Sequence, residues 1–342
     1  MTENVPKVSV VCAWYNRADY IRATVDSILA QDFDSFEMIV VNDGSPDPRV
    51  REIFDSYSDP RLKVIHHDNR GFTQTIRRAI IESRGEFIAI QGAGDVSLPQ
   101  RLRMQVAAIE QDPRFIGSGT SRENLSIGGR NDGLRRVFEV PYDVIRTSEL
   151  MQRPASPINH GDLMFRRSVY DKVGGYRLFF HYAQDLDLLL RMSRHGDFKM
   201  CRDVLYQRLV FAEDGIASRV DRTLAQLNYT EMARCCKLEA DRWGRDTVDI
   251  FGAAAGLFAP RSSYIAGAKA KTALKYLRMS RFEDGAYLAD IALREKAIPL
   301  TLAVGLLFWL CRFGAFRTLL RRALALMPMK DHREFHPLFP DR

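Results

Sequence analysis

The sequence predicts an α/β protein: a mostly parallel sheet with helices on both faces, followed by an α-helical C-terminal region. Two observations predict it. Short β-branched runs alternate with stretches of helical periodicity over residues 7–118, and the connections between them are short. From residue 221 onward the pattern is helical almost to the end, with a break near Ala259-Pro260.

The elements follow in order. Residues 8–12 (VSVVC) read as the first strand, and Ile21, Val25, Ile28 and Leu29 then share one helical face. Residues 38–41 and 62–65 read as the second and third strands. Phe72, Ile76, Ala79 and Ile80 line another helix, and residues 87–90 make the fourth strand. Ligands of such sheets bind beyond the carboxyl ends of the strands. The loops that matter are therefore 13–17, 42–47, 66–71 and 91–99. Residues 119–160, rich in Gly, Arg, Asn and Pro, read as loop with short strands. A helix is expected over 185–195 and a strand over 204–211, with a domain boundary between 218 and 225. This gives one domain over 1–220 and a helical region over 221–342. Its Ala-rich part (Ala268, Ala273, Ala286, Ala289, Ala292) is similar to one tetratricopeptide helix pair. One pair cannot build a solenoid, so ordinary helix packing is expected.

Composition sets the outer bounds. The 342 residues are 46% hydrophobic and 27% charged, ordinary globular values that exclude a disordered chain. The formal net charge is +7, but residues 312–342 hold seven basic residues against three acids. The rest is near neutral, which argues against a nucleic-acid footprint. Five cysteines (Cys12, Cys201, Cys235, Cys236, Cys311) without CxxC spacing speak against a disulfide framework or structural zinc. The first residues lack a charged region followed by an apolar core, so a cytoplasmic location is expected.

The acid in Val41-Asn42-Asp43-Gly44-Ser45 ends a parallel strand. Its carboxylate can accept from a ribose hydroxyl or a base N–H, or it can cap the following helix. Both readings stand on this motif alone. Taken in order, VSVVCAWYNR (8–17), VNDGSPD (41–47), DNRGF (68–72) and GEFIAIQGAGDVSLPQR (85–101) make a longer series. INHGDLMFRR (158–167), VGGYR (173–177), AQDLDLLLR (183–191) and DGIAS (214–218) continue it. The series resembles the inverting family 2 glycosyltransferases of GT-A fold over residues 7–218.

That resemblance implies transfer of a sugar from a nucleotide-diphosphate donor to an acceptor hydroxyl. It places Ala13 and Tyr15 at the base pocket and Asp43 on the base or ribose. Asn69, Arg70 and Gly71 come near the base and pyrophosphate, with Arg77 and Asp95 also toward the donor. Asp185 matches the catalytic base; an alcohol is a poor nucleophile until its proton is taken. The family usually has Glu before that Asp, where Gln184 stands here. His160 and Asp187 fall on the acceptor side.

One departure is central. The family's Asp-x-Asp metal motif, often Asp-Ala-Asp-Asp, is Gly92-Ala93-Gly94-Asp95 here, and a family His is replaced at Phe211. A magnesium or manganese ion wants hard oxygen ligands, and only Asp95 is left to hold one. Three readings follow: Asp95 holds a weak metal alone; Arg70, Arg77 or Arg78 neutralises the diphosphate instead; or the chain is a non-catalytic nucleotide-sugar-binding or scaffold module.

In the C-terminal region, residues 297–311 carry no charge but are too few to span a bilayer, which needs ~20. Arg312, Arg317, Arg321 and Arg322 follow among apolar residues. That pattern suits either an anionic membrane surface or docking on the protein itself. The partners expected are a nucleotide-diphosphate sugar and a saccharide or lipid-linked acceptor of surface-polysaccharide or glycolipid synthesis.

Overall fold

The computed structural model describes residues 5–152, 156–212, 220–279 and 281–325. The chain divides into two compact units, Met1–Ala212 and Glu213–Arg342. The DGIAS segment lies outside the described residues.

In the first unit, strands β1 (Val8–Trp14), β2 (Phe36–Asp43), β3 (Leu62–His67) and β4 (Phe87–Ile90) pair in parallel in the order β3-β2-β1-β4. They bury alternate residues on each face. Val8, Val10, Cys12 and Trp14 join one core with helices α1 (Ile21–Leu29), α2 (Pro48–Asp55) and α4 (Arg101–Glu110). Val11, Ile39 and Val41 are buried too, and α3 (Phe72–Ile81) packs on β1 and β2. Burying both faces is why these runs are continuously apolar.

Beyond β4 the sheet becomes mixed. Strands β5 (Val96–Ser97), β6 (Phe115–Ile127), β7 (Arg135–Phe138), β8 (Val144–Ile145), β9 (Met164–Arg166) and β10 (Asp197–Phe211) complete ten strands. β9 runs antiparallel between β4 and β6, and β10 runs parallel to β6. Of the loop with short strands expected over 119–160, β7 and β8 are such strands, but β6 is longer than expected. β6 is a thirteen-residue strand whose Gly-Ser-Gly-Thr composition hides it. Its glycines are required by close neighbours: a Cβ at Gly117 would lie 2.7 Å from the Met164 carbonyl oxygen. A Cβ at Gly119 would lie 2.6 Å from the Met200 methyl. β10 also starts earlier than expected, because bulges between Cys201 and Tyr206 break its alternation. Short helices α5 (Thr147–Leu150) and α6 (Arg167–Lys172) precede α7 (Gln184–Met192).

The second unit is helical: α8 (Val220–Trp243), α9 (Thr247–Phe251), α10 (Ser263–Arg278), α11 (Phe282–Glu295), α12 (Pro299–Leu310) and α13 (Gly314–Ala325). Ala273, Leu277, Ala289 and Ala292 of α10 and α11 form its core with Val304 and Phe308. A Cβ at Gly285 would lie 2.5 Å from the Phe308 ring, so the glycine is what admits that ring. Among the described residues no helix is long and apolar enough to cross a membrane.

Candidate active site

The loops after β2 and β3 are bound together by Asp43. Its Oδ1 accepts from the Arg70 amide at 2.7 Å and its Oδ2 from the Gly71 amide at 3.0 Å. The Asn69 side-chain amide donates to the Asp43 carbonyl at 2.9 Å. Gly44 permits this approach: it has φ +64°, and a Cβ there would meet the Asn69 nitrogen at 2.4 Å. Gly71 is the N-cap of α3, so Asp43 does serve a helix start, but of α3. The helix that follows β2 is α2, and Asp47 caps it by accepting from the Arg49 amide. The capping alternative therefore named the wrong helix. Beside this junction lies an open cavity of about 720 Å³ lined by Asn42, Ser45, Arg51, His66, His67 and Arg70. Arg70 is exposed at its rim, Tyr15 is 47% exposed, and Ala13 is half-buried in register with Val41.

The loop after β4 is built differently. Asp95 is buried; its Oδ2 accepts from the Tyr206 hydroxyl at 2.7 Å and its Oδ1 from the Leu209 amide at 2.8 Å. Burial pushes its carboxyl above the usual range, and the two hydrogen bonds oppose that. The carboxylate occupies the space a side chain at Gly92 would need, since a Cβ there would sit 2.2 Å from Oδ2. Gly94 has φ +96°, which disfavours any L side chain. Below the loop, the fully buried Arg101 donates to Ile90 and Gly161 carbonyls and lies over the Tyr206 ring.

These residues do not fit a divalent cation. Both Asp95 oxygens are turned into the protein, and the two positions before it in the motif's acid pattern lack carboxylates. Among the described residues no group of three or more His, Cys, Asp or Glu could hold a metal. The sequence reading placed Asp95 toward the donor and as a weak metal ligand; here both its oxygens accept hydrogen bonds from within the protein. Its carboxylate supports the loop from within. A cation of another kind stands nearby. Arg17 donates to the Ala93 carbonyl at 2.8 Å, and its guanidinium lies 4.1 Å from the centre of the Phe211 ring.

On the third side, His160 meets the Tyr176 hydroxyl through Nε2 at 2.7 Å, and its ring packs edgewise on Phe72 and Tyr176. Burial pushes its imidazole below the ordinary range while the Asp185 charge pulls it up. Asp185 is half-buried in the first turn of α7, two places after the N-cap Ala183. Its Oδ1 accepts from the Leu186 amide at 2.9 Å, and its Oδ2 has no protein partner among the described residues.

Three further residues of the sequence reading hold intramolecular contacts. Asp187 is 1% exposed and gripped by Arg177 and Arg191, so it pins α7 to the 173–177 turn. Arg77 donates to the Tyr176 carbonyl at 2.7 Å, which ties α3 to that turn. Arg78 pairs with Glu82 at 2.6 Å on the outer surface. Arg17, Tyr176 and Tyr206 were missed by sequence reasoning. Arg17 lay inside the first motif and Tyr176 inside VGGYR (173–177), whereas no motif marks Tyr206.

The sequence pattern of the Glycosyl transferase family 2 matches residues 9–174. EpsE of Bacillus subtilis, named as a glycosyltransferase, is 30% identical over 196 residues, 56% of this chain and 68% of EpsE. The chain belongs to glycosyltransferase family 2. A chondroitin synthase of Escherichia coli is 24% identical over 64% of this chain, and a hyaluronan synthase of Pasteurella multocida 25% over 61%. The chain spans only 31% and 21% of those two proteins. Solved structures show the same GT-A fold. The mannosyltransferase PcManGT of Pyrobaculum calidifontis, solved with GDP-Man and Mn2+, has TM-score 0.51 at 20% identity, covering 94% of this chain and 85% of its own. TarS 1–349 of S. aureus with UDP-GlcNAc has TM-score 0.53 at 13% identity, covering 90% and 92%. The enzyme is a glycosyltransferase.

Proposed function

We propose that this glycosyltransferase moves a sugar from a nucleotide-diphosphate donor to an acceptor hydroxyl with inversion at the anomeric carbon. One observation carries the reading: packed groups lead from the loops after β2 and β3 to His160, which lies within electrostatic reach of Asp185. Asp43 holds the Gly71 amide, Phe72 follows and packs on His160, and His160 feels the Asp185 charge. The Asp185 Oδ2 is a carboxylate oxygen that no described residue uses.

In this reading the nucleotide lies over Ala13, Tyr15 and the Asp43–Gly71 junction, with Arg70 and Arg17 as the cations for the diphosphate. The acceptor oxygen attacks the anomeric carbon from the far side and gives its proton to Asp185. The bond from that carbon to the diphosphate oxygen breaks, and the nucleoside diphosphate leaves with the electron pair. His160 and Tyr176 hold the wall beside the base. The acceptor is a saccharide or lipid-linked glycan of surface-polysaccharide synthesis, which the names of the polysaccharide-synthase relatives support.

The test is Asp185→Asn assayed against a panel of nucleotide sugars. Donor binding should stay near the wild-type level while turnover falls by ~10²–10⁴-fold, the usual range for a general base. A wild type that binds a donor but turns over none would instead mark the protein as a nucleotide-sugar-binding module.

A further inference from the structure

From Lys296 to Lys330 the sequence carries six cations and no acid. Within that stretch α12 is uncharged along its whole length. Its inner face is buried through Thr301, Val304 and Phe308. On the outer face Leu302, Leu306, Trp309 and, just beyond the helix, Phe313 are 55%, 58%, 51% and 58% exposed. Spacings of four, three and four residues set them along one line. Lys296 before the helix and Arg312 and Arg317 after it are exposed.

We propose that this edge of α12 docks the protein on an anionic membrane surface. Leu302, Leu306, Trp309 and Phe313 enter the headgroup region, and Lys296, Arg312 and Arg317 pair with lipid phosphates. A twelve-residue helix rises about 18 Å, so it lies along the surface and does not cross it. Tryptophan at the rim suits the polar–apolar boundary. A second copy of the chain is a poorer occupant, because a two-fold contact would set these cations against their own copies without an acid between them. The surface also needs nothing from the donor site, so vesicle binding can fail while sugar transfer stands, and the reverse.

The full chain is sedimented with phosphatidylcholine vesicles and with vesicles containing phosphatidylglycerol, at low and high salt. Binding should require the anionic lipid and weaken with salt. Leu306→Ser with Trp309→Ser should lower the partition constant at least about tenfold, given the value of burying one large apolar side chain. Arg312→Glu should lower it by roughly fivefold or more. Neither variant should shift the melting temperature, because all three side chains are exposed. No association with anionic vesicles, or association that neither variant changes, overturns the proposal. A concentration-dependent dimer that the serine pair dissociates would give the edge to a second copy and overturn it equally.

Discussion

Strands β2 and β4 flank β1, and each has an aspartate at or just beyond its carboxyl end, yet the two are used in opposite ways. Asp43 reaches sideways and takes two backbone amides of the neighbouring loop, leaving an open cavity beside the junction. Asp95 turns inward to a tyrosine and a strand amide and fills the volume that Gly92 leaves vacant. An acid at a strand end is thus a poor guide to ligation by itself. Its role depends on whether its hydrogen bonds come from loop backbone at the surface or from the core.

The largest way to break this contrast is Gly92→Asp. The new Cβ would collide with the Asp95 carboxylate and set a second acid beside a buried one. A loss of roughly 3–5 kcal/mol is expected, the range for an uncompensated buried charge. Gly71→Ala, on the donor side, meets nothing within 4 Å and suffers only from its φ of +83°. Its loss should be about 1 kcal/mol or slightly more. Urea midpoints for the two variants compare the loops directly. Equal losses would mean that the Asp95 side chain can swing out of the way.

The parallel half of the sheet was legible because β1 to β4 are apolar runs separated by periodic helices. The other half was not. Gly117 and Gly119 look like loop residues, and only their contacts with Met164 and Met200 show why a strand needs them. The candidate site divides in the same way. Motif order singled out Asp43, Asp185 and His160, while Tyr206, the partner of Asp95, lies 111 residues away. A helical position two after Asp185 shows nothing in the sequence of the two arginines that enclose Asp187.

Acidity should separate the two sides next. Asp162 is fully buried beneath the β4 side, and burial pushes its carboxyl up to about 6. The folded form therefore keeps a proton that the unfolded chain loses near pH 3.9. The favourable contribution is present below that pH and is lost as pH rises through about 6. Asp162→Asn removes the titration. Relative to wild type, the variant should gain stability between pH 4 and pH 7 by up to about 3 kcal/mol. Denaturation at a series of pH values reads the slope. A flat difference would show that Asp162 stays paired in both protonation states.

On the donor side, Asp43→Asn retains the shape but replaces one acceptor oxygen with a donor facing a backbone N–H. Stability should fall by about 1–3 kcal/mol, and nucleotide affinity should fall with it as the Arg70–Gly71 turn loosens. Calorimetry with nucleoside diphosphates and a melting curve measure the two effects separately. Loss of stability at unchanged affinity would leave Asp43 a purely structural cap.

The smallest effect expected is that of a chelator. A divalent cation beside a pyrophosphate normally takes at least one protein carboxylate, and the acid nearest the altered motif, Asp95, has both oxygens committed to the fold. Turnover in EDTA should therefore stay near its starting level, measured as nucleoside diphosphate released. Diphosphate charge would then rest on guanidinium groups, so Arg17→Gln and Arg70→Gln should each lower kcat/KM by roughly 10–100-fold, the value of a charged hydrogen bond. Collapse in EDTA with recovery on added manganese would reverse the assignment. It would mean that Asp95 leaves Tyr206 when donor binds, and Tyr206→Phe, which frees that carboxylate oxygen, should then strengthen the response to metal.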